Sequence, residues 1–443
     1  MFNLKKILEE YTYLSNPVIS PDNEKIAFVK HCYNHNENKY PDDICICSKN
    51  GNNFKRLTSA DCYSNTSPIW SKDSKQIAFI STRKNGRQIW KMNIDGGEAE
   101  QITDTSCGVN RFLWSKDNSF FLFSALFNKK AKNEAEHKSL SEAKKKSKKN
   151  AVIYDNLNIK LGSSHAMDMK EFVFKLDLKT HKITKISPEC TENLILQNFD
   201  LSPCGNEAVM EFEDVINLTD EQHYIYTIDL KNPDKAKRIT EDKQVCTNPI
   251  YSPDGKYILY KQFPSPNMQR FELNSRTIVL YDFKDTKKIL PNLSDFKSYF
   301  WAPDSSSIYI EKIEKTKQAL YRYKLSTGET EKILSDYCAS ARHYSLGKDF
   351  SFSQNGKFMA FISSKSDVPL EIYTATTDGL SVKQITKQNY KYLRKYPVSK
   401  SEHFSFKSSD GTEIGGFFYR PQNFDPKKKY PLLLLIHGGP INV

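Results

Sequence analysis

The sequence lacks any long apolar run. The longest, Leu432–Ile436, has five residues, whereas a membrane-spanning helix needs about 20. Residues 1–10 contain lysines but neither an apolar core nor a small-residue cleavage site, so they do not have the pattern of a secretory signal. We therefore expect a soluble, cytoplasmic protein that does not bind membranes.

Glycine, proline and paired cysteines are also scarce. The 443 residues include 17 Gly and 19 Pro. Together they make up about 8% of the residues, below the average of about 12%. This low content of Gly and Pro excludes collagen-like and linker-like proteins. The nine cysteines form no Cys-x-x-Cys pair, which is typical of free thiols in a reducing compartment. Tyr and Phe are abundant instead, with 24 and 27 residues, and favour half-buried strands. An all-β fold is the first expectation.

The net charge of +12 has a largely local source. Residues 128–150 contain nine Lys and three Glu, which supply half of the excess. No stripe elsewhere alternates Arg with stacking aromatics, so we expect no nucleic-acid partner. The Lys-rich stretch is polar and self-repelling, which is typical of a mobile loop or a frayed helix. A docking surface for an acidic partner is the alternative.

The sequence repeats a strand–turn–strand segment. In the clearest copy, Asn248–Tyr260, the turn is Ser252-Pro253-Asp254-Gly255. Pro sets φ for a turn, Asp bonds its own backbone, and Gly accepts a positive φ. The first turn residues of the copies are 20, 71, 115, 202, 252, 302 and 353. The copies are about 50 residues apart, except for a longer gap between 115 and 202 that contains the Lys-rich stretch.

A second hairpin-like unit follows each turn and, in the clearest copies, ends in Leu or Ile followed by Thr, as in Gln88–Thr103. Two hairpins make a four-stranded antiparallel sheet, and radially arranged sheets make a β-propeller. A β-sandwich or β-solenoid is the alternative, which the regular spacing disfavours. We predict an all-β, seven-bladed propeller over residues 16–396, with a Lys-rich insertion at about 124–170. An N-terminal helical segment over residues 1–15 precedes it.

The pattern changes after the last repeat. Phe404–Pro421 reads as a hairpin with a Ser-Asp-Gly turn. Tyr430–Ile436 is apolar without alternation, which is typical of a strand buried on both faces. This segment runs into His437-Gly438-Gly439-Pro440.

The repeats, the hairpin and the His-Gly-Gly-Pro motif together resemble the prolyl oligopeptidase family of serine peptidases, in particular its acylaminoacyl-peptidase and dipeptidyl-peptidase-like branch. The resemblance covers essentially the whole chain. It implies that residues 397–443 are the N-terminal fragment of an α/β-hydrolase domain. By the same resemblance, the backbone N–H of Gly439 is an oxyanion-hole donor, Gly438 shapes the turn and His437 orients it. It further implies hydrolysis of short peptides by acyl transfer, without a cofactor or a metal.

The chain departs from this family in its catalytic triad. No Gly-x-Ser-x-Gly elbow occurs, and the family order places Ser, Asp and His after the oxyanion motif. We therefore expect a truncated peptidase that is inactive alone and whose propeller gates substrate entry. A stand-alone TolB-like propeller that binds peptides or proteins is one alternative. The other is half of a split enzyme that a hydrolase fragment completes; association as a homo-oligomer also remains open.

Histidine and cysteine pairs offer weaker signals. His31, Cys32 and His35 lie close together, as zinc ligands do, but no fourth ligand has suitable spacing, so a hairpin loop is the favoured interpretation and no metal is expected. Cys45 and Cys47 share one face of a strand, which fits buried small apolar side chains better than a disulfide.

An acidic cluster follows the fourth turn. It consists of Glu211, Glu213 and Asp214. Some members of the family use propeller acids to hold a substrate amine, but the spacing here is unspecific.

Overall fold

The computed structural model describes residues 8–59, 62–131, 134–146, 169–191, 194–215, 221–242, 244–263, 276–284, 286–291, 293, 296–314, 317–337 and 350–436. These residues form mostly antiparallel strands, which confirms the expected bias. They divide into two compact units, one from Met1–Pro68 with Phe296–Val443 and one from Ile69–Asp295.

Strands follow one another in groups of four. Within a group the first three strands pair antiparallel in chain order, and the fourth pairs with the third. The first three groups contain β1 (Tyr13–Ile19), β2 (Lys25–His31), β3 (Asp42–Ser48), β4 (Lys55–Arg56), β5 (Asn65–Trp70), β6 (Gln76–Ser81), β7 (Gln88–Asn93), β8 (Glu100–Gln101), β9 (Arg111–Trp114), β10 (Phe120–Asn128), β11 (Met169–Asp177) and β12 (Ile183–Lys185).

The later groups have the same order. Their strands are β13 (Ile195–Leu201), β14 (Glu207–Val215), β15 (Glu221–Asp229), β16 (Lys237–Arg238), β17 (Val245–Tyr251), β18 (Tyr257–Phe263), β19 (Thr277–Asp282), β20 (Lys287–Leu290), β21 (Phe296–Trp301), β22 (Ser307–Glu314), β23 (Lys317–Lys324), β24 (Thr330–Tyr337), β25 (Phe350–Phe352), β26 (Phe358–Lys365), β27 (Val368–Thr376) and β28 (Lys383–Gln384). A parallel bridge between His223 and Val245 joins β15 to β17, so two groups share one eight-stranded sheet.

Short helices connect some of these strands. Helix α1 (Glu134–Lys146) lies between β10 and β11, and α2 (Tyr390–Lys395) follows β28. Single 3₁₀ turns occur at Glu189–Thr191 and Pro233–Lys235. Of the helices that the structure describes, none is long and apolar enough to cross a membrane.

The predicted boundaries differ at two places. Residues 8–10 are helical, but β1 already begins at Tyr13, inside the segment that we expected to be helical, because Leu14 is fully buried in the core of the first sheet. The Lys-rich insertion is shorter than expected, because β10 continues to Asn128 and β11 begins at Met169. Part of the insertion is the helix α1, in agreement with one of the two expectations.

All seven repeated turns join the first strand of a group to its second. In Ser252-Pro253-Asp254-Gly255 the Ser252 hydroxyl donates to Asp254 Oδ1 over 2.6 Å and accepts the N–H of Tyr257 over 3.0 Å. Gly255 has φ +75°, as a turn of this kind requires. These two hydrogen bonds join residues that are close in sequence.

Hydrophobic cores lie between consecutive sheets. In the second unit, Ile80 and Ile89 of one sheet pack with Phe121 and Phe123 of the next. In the first unit the sheet β1–β4 shares a core with the sheet β25–β28, the last of the four-stranded groups. The earliest and latest groups of the chain are therefore packed together.

The C-terminal segment carries a two-stranded hairpin, β29 (Ser401–Lys407) and β30 (Glu413–Tyr419). Its pairing runs without a bulge from Ser401 opposite Tyr419 to Lys407 opposite Glu413. The hairpin is held to β26 and β27 by the Ser401 N–H, which donates to Ser366 Oγ over 3.1 Å.

Candidate functional site

The predicted oxyanion-hole residues His437, Gly438 and Gly439 lie outside the described residues. Their assignment therefore stays a prediction.

The strand expected before them is not formed. Leu432–Ile436 has no strand pairing, and its side chains are 75% to 85% exposed. An apolar strand is buried on both faces only when other strands pair with its edges and further elements cover its sheet. Within the described residues, nothing provides these partners, so the expectation of a buried strand is wrong for this chain.

His31 does not lie in a metal site. Its Nδ1 donates to Asp42 Oδ1 over 2.6 Å, and its Nε2 accepts from the Ser15 hydroxyl over 2.5 Å. The ring also stacks on Tyr13 with 4.2 Å between centroids. Both ring nitrogens are thus engaged, and no group of His, Cys, Asp or Glu in the described part of the chain could hold a metal ion.

The hydrogen bonds link Ser15 to His31 and His31 to Asp42, as in a Ser–His–Asp catalytic triad. The three side chains, however, come from β1, β2 and the start of β3, which are adjacent strands of one sheet. Ser15 lies within β1 rather than on an exposed turn between a strand and a helix, where an α/β-hydrolase nucleophile is placed. We therefore interpret this network as a cross-strand contact that holds the first sheet together.

Cys45 and Cys47 are buried free thiols, as the alternation in β3 predicted. Burial raises the pKa of both thiols to about 12. At neutral pH they are protonated and act as small apolar side chains.

The acidic cluster is divided by the structure. Glu211, in the middle of β14, is only 3% exposed. Glu213 lies further along the strand, and its Oε2 accepts the side-chain amide of Gln197 over 2.5 Å. Burial raises the pKa of Asp214, the third member. Glu211 and Gln197, the partner of Glu213, line the same cavity, whereas Asp214 is not among its lining residues.

Glu211 is held in place from two sides. His223 Nδ1 donates to Oε1 over 2.9 Å, and the backbone N–H of Asn248 donates to Oε2 over 2.7 Å. Asn248 has φ +55° and precedes Pro249 at a register shift in β17 between Thr247 and Ile250. The bulge turns the Asn248 N–H away from the strand ladder and towards Glu211.

A cavity of about 320 Å³ opens beside Glu211. Its walls include Glu211 of β14 and His223 of β15. They also include Lys261 and Phe263 of β18, and Arg276, which directly precedes β19. Sequence analysis did not find this site. The one signal in the sequence was the acidic cluster, and it gave no indication of the cations that also line the cavity.

Arg111 supports the wall behind Glu211. Its guanidinium donates to Asn198 Oδ1, and Asn198 Nδ2 donates to Asn248 Oδ1 over 3.1 Å. Burial lowers the pKa of Arg111, while the carboxylates of Asp200, Glu171 and Glu211 oppose this effect. The network fixes the Asn248 bulge and hence the orientation of Glu211.

Comparison with known proteins identifies the fold of the repeats. The family described as the TolB beta propeller domain matches residues 3–153. Among solved structures, the acylaminoacyl peptidase of Pyrococcus horikoshii matches 96% of this chain and 60% of its own, with a TM-score of 0.68 and 19% identity. The β-propeller domain of the Trilobed protease from Pyrococcus furiosus matches 86% of this chain and 97% of its own, with a TM-score of 0.54 and 18% identity. At these identities the matches establish the fold alone.

Curated relatives are peptidases. The uncharacterized peptidase YuxL of Bacillus subtilis is 25% identical over 460 residues, which cover 96% of this chain and 65% of the relative. Dipeptidyl-peptidase 5 of Porphyromonas gingivalis is 22% identical over 455 residues, which cover 97% of this chain and 62% of the relative. The chain therefore spans less than two thirds of the length of these relatives. The similarity to peptidases along nearly its whole length, together with the propeller domain matched by residues 3–153, supports the expected resemblance to the prolyl oligopeptidase family.

Proposed function

We propose that the chain is the substrate-gating propeller, with the beginning of the catalytic domain, of a serine peptidase that hydrolyses short peptides. The observation that carries the proposal is the packing of the first sheet against the last. Leu14 and Phe28 share a core with Ile362 and Ile372. A radial array of sheets requires this contact, whereas a linear array would keep its ends apart.

The groups of four strands are, in this proposal, seven blades over residues 16–396. Among the described strands, no sheet combines strands from both ends of the chain. In this proposal, side-chain contacts rather than strand pairing join the first and last sheets. Asn389 is fully buried, its Oδ1 accepts the Thr12 N–H over 3.0 Å, and its Nδ2 donates to the Thr12 carbonyl over 2.8 Å.

Residues 397–443 are proposed to lead into an α/β-hydrolase domain. The exposed Leu432–Ile436 supports this, because five adjacent apolar side chains in water are unfavourable until a sheet covers them. The Gly439 N–H would then stabilise the oxyanion of acyl transfer, with Gly438 and His437 shaping its turn. No Gly-x-Ser-x-Gly elbow occurs in the 443 residues. We therefore propose that this chain alone does not hydrolyse peptides.

The test uses the protein in its native cells. An antibody against the repeats would isolate the protein, and a fluorophosphonate probe would label an activated serine. We expect a labelled species well above 51.2 kDa, or a 51.2 kDa chain that co-purifies with a labelled hydrolase fragment. An unlabelled chain of 51.2 kDa without a labelled partner would contradict the proposal.

The second candidate is a stand-alone propeller that binds peptides or proteins. The match of residues 3–153 to the TolB beta propeller domain favours it. It predicts the unlabelled outcome of the same experiment, together with a bound protein or peptide that is not a hydrolase.

A further inference from the structure

We propose that Asn85 is a site of spontaneous deamidation, which converts it to aspartate or isoaspartate in the folded protein. In this reaction the backbone nitrogen of Gly86 bonds to Cγ of Asn85. The side-chain NH₂ group leaves with the amide proton of Gly86 as ammonia, and water then opens the cyclic imide. The reaction needs water alone and is independent of the proposed peptidase function.

The sequence contains three Asn-Gly pairs, Asn50-Gly51, Asn85-Gly86 and Asn355-Gly356. Glycine gives the attacking nitrogen the greatest conformational freedom, so each pair has the local sequence that the reaction requires. All three lie in connections between strands, and each asparagine is exposed to water. The sequence alone therefore does not rank the three sites.

The Asn50-Gly51 pair is held by its turn. The Gly51 N–H donates to the Ser48 carbonyl over 2.8 Å, and Asn50 Oδ1 accepts the Asn52 N–H over 3.1 Å. A Cβ added at Gly51 would lie 2.3 Å from the Ile385 carbonyl oxygen, so the glycine also has little room to move. The attacking nitrogen must break a hydrogen bond before it can reach Cγ.

The Asn355-Gly356 pair has the same turn in open space. The Gly356 N–H donates to the Ser353 carbonyl over 2.8 Å, and Asn355 Oδ1 accepts the Lys357 N–H over 3.1 Å. A Cβ added at Gly356 would meet nothing within 4 Å. This pair therefore separates the effect of the turn hydrogen bonds from the effect of crowding.

The Asn85-Gly86 pair has no such turn. Among the residues that the structure describes, no acceptor takes the Gly86 N–H and no donor reaches Asn85 Oδ1. A Cβ added at Gly86 would meet nothing within 4 Å. The side-chain Nδ2 of Asn85 donates to Asp104 Oδ1 over 2.8 Å, which leaves the attacking nitrogen unhindered. Of the three pairs, this one can react without breaking a turn hydrogen bond.

Conversion of Asn85 disturbs the loop between β6 and β7. A carboxylate at this position no longer donates to Asp104 and places two like charges in contact. The Asn85 carbonyl accepts Nε2 of the fully buried Gln88 over 2.9 Å, and the same nitrogen donates to the Thr105 carbonyl over 2.7 Å. Isoaspartate routes the backbone through the side chain and moves the Asn85 carbonyl. We therefore expect conversion to loosen this loop.

Peptide mass spectrometry of the 443-residue chain tests the proposal. The folded chain is incubated at mildly alkaline pH and digested at intervals, and aspartate and isoaspartate peptides are separated by chromatography. We expect Asn85 to convert at least about fivefold faster than Asn50 or Asn355, whose glycines must first give up a turn hydrogen bond. In urea the three rates should converge, because only the local sequence then acts. Equal rates in the folded chain, or an undiminished lead of Asn85 in urea, would overturn the proposal.

Ser353→Ala tests whether the turn protects Asn355. The Ser353 hydroxyl accepts the Phe358 N–H over 2.9 Å, so alanine loosens the turn that holds Gly356. We expect faster conversion of Asn355 and unchanged conversion of Asn85, which serves as the control within the same molecule. An unchanged rate at Asn355, or an equal rise at Asn85, would contradict protection by the turn.

Asn85→Asp tests the consequence of conversion. It should lower the urea denaturation midpoint, and the additional change Asp104→Asn should restore it by supplying an amide donor from the other side. Asn355→Asp makes the same change of charge and should not lower the midpoint, because Asp254 accepts the equivalent N–H in its own turn. An unchanged midpoint in Asn85→Asp, or an equal loss in Asn355→Asp, would rule out the expected loosening.

Discussion

Single hydroxyl groups explain why two short motifs recur along this sequence. The Ser of each clear turn bonds the Asp two residues later, and the Thr that closes a second hairpin replaces a carbonyl of the strand ladder. Thr103 shows this role, because its hydroxyl accepts the Ile89 N–H over 2.9 Å and donates to Gln88 Oε1 over 2.8 Å. The same backbone contact occurs at Thr58, Ser187, Thr240 and Thr386. The Thr or Ser hydroxyl therefore supplies the hydrogen-bond acceptor for a buried backbone N–H.

Replacement of Thr386 by Val should destabilise the protein. The Thr386 hydroxyl accepts the Ile372 N–H over 2.8 Å and donates to Glu371 Oε2 over 2.5 Å, and valine leaves both groups without this partner. We expect a loss of about 1–3 kcal/mol in the free energy of unfolding. Thr330→Val, at an exposed position of β24, is the control and should change it by less than about 0.5 kcal/mol. Equal denaturation midpoints for the two variants would contradict this role.

The turn of the C-terminal hairpin should depend on pH through Asp410. The Ser408 hydroxyl and then the Thr412 N–H lower the pKa of this carboxyl from 3.8 to about 2. Because the folded pKa is depressed, the contribution to turn stability is fully present above pH 4 and is lost as the pH falls towards about 2. Carboxyl carbon NMR shifts measure the titration.

Ser408→Ala is the control for Asp410. It removes the largest cause of the shift, so the pKa of Asp410 should rise towards 3.8. An unchanged titration curve in Ser408→Ala would show that the hydroxyl does not stabilise the carboxylate.

Strands with bulges, rather than regular strands, position the candidate site. The first strands β1 and β17 both shift register at an Asn-Pro pair, where Asn16 and Asn248 have φ +52° and +55°. In β17 this shift presents the Asn248 N–H to Glu211. A regular antiparallel strand would bond the same N–H to its neighbour and leave Glu211 without this donor.

The turn between β27 and β28 should require glycine. Gly379 has φ +81°, and a Cβ added there would overlap the carbonyl oxygen of Ile333 in β24. Since strain and overlap add, Gly379→Ala should cost more than about 2 kcal/mol of unfolding free energy. Gly356→Ala, with φ +68° and open space around the added atom, is the matched control and should cost about 1 kcal/mol. A smaller effect at Gly379 than at Gly356 in urea denaturation would refute this assignment.

At the scale of the whole molecule, the chain combines closely packed repeats with an exposed apolar end. The sheets of each unit bury their aromatic and aliphatic side chains against one another. Leu432–Ile436 instead lies open to water, next to a hairpin whose Phe404, Phe406 and Phe417 are also exposed. This contrast supports the proposal that the C-terminal segment belongs to a domain of which the chain contains only the beginning.

The exposed segment should make the 443-residue chain aggregate. Five consecutive apolar residues without charge or proline have the composition of an aggregation-prone strand. A chain shortened to end at Tyr396 should remain monomeric at concentrations where the full chain forms larger species in light scattering. The double substitution Leu433→Lys and Leu435→Lys in the full chain should have a similar effect, because charges oppose strand pairing. Equal aggregation of all three chains would exclude Leu432–Ile436 as the cause.

The sequence by itself determined the local structure of the repeated turns and the resemblance to a peptidase family. The clearest copy of the repeated turn is stabilised by atoms within a few residues, as Ser252, Asp254 and Tyr257 show, so the repeat is visible without any knowledge of the fold. The same locality made the Cys45 and Cys47 assignment correct, because alternation along one strand decides which face is buried.

Only the tertiary structure decided the cavity and its charge. Glu211 meets His223 on the next strand and the Asn248 N–H in the following group, and Arg276 directly precedes β19 of that group. No spacing in the sequence marks these distances, because they depend on which sheet packs beside which. For the same reason, the sequence showed that Leu432–Ile436 is apolar, but the expectation that this segment forms a buried strand was wrong. Burial requires partner strands, and a strand cannot supply its own.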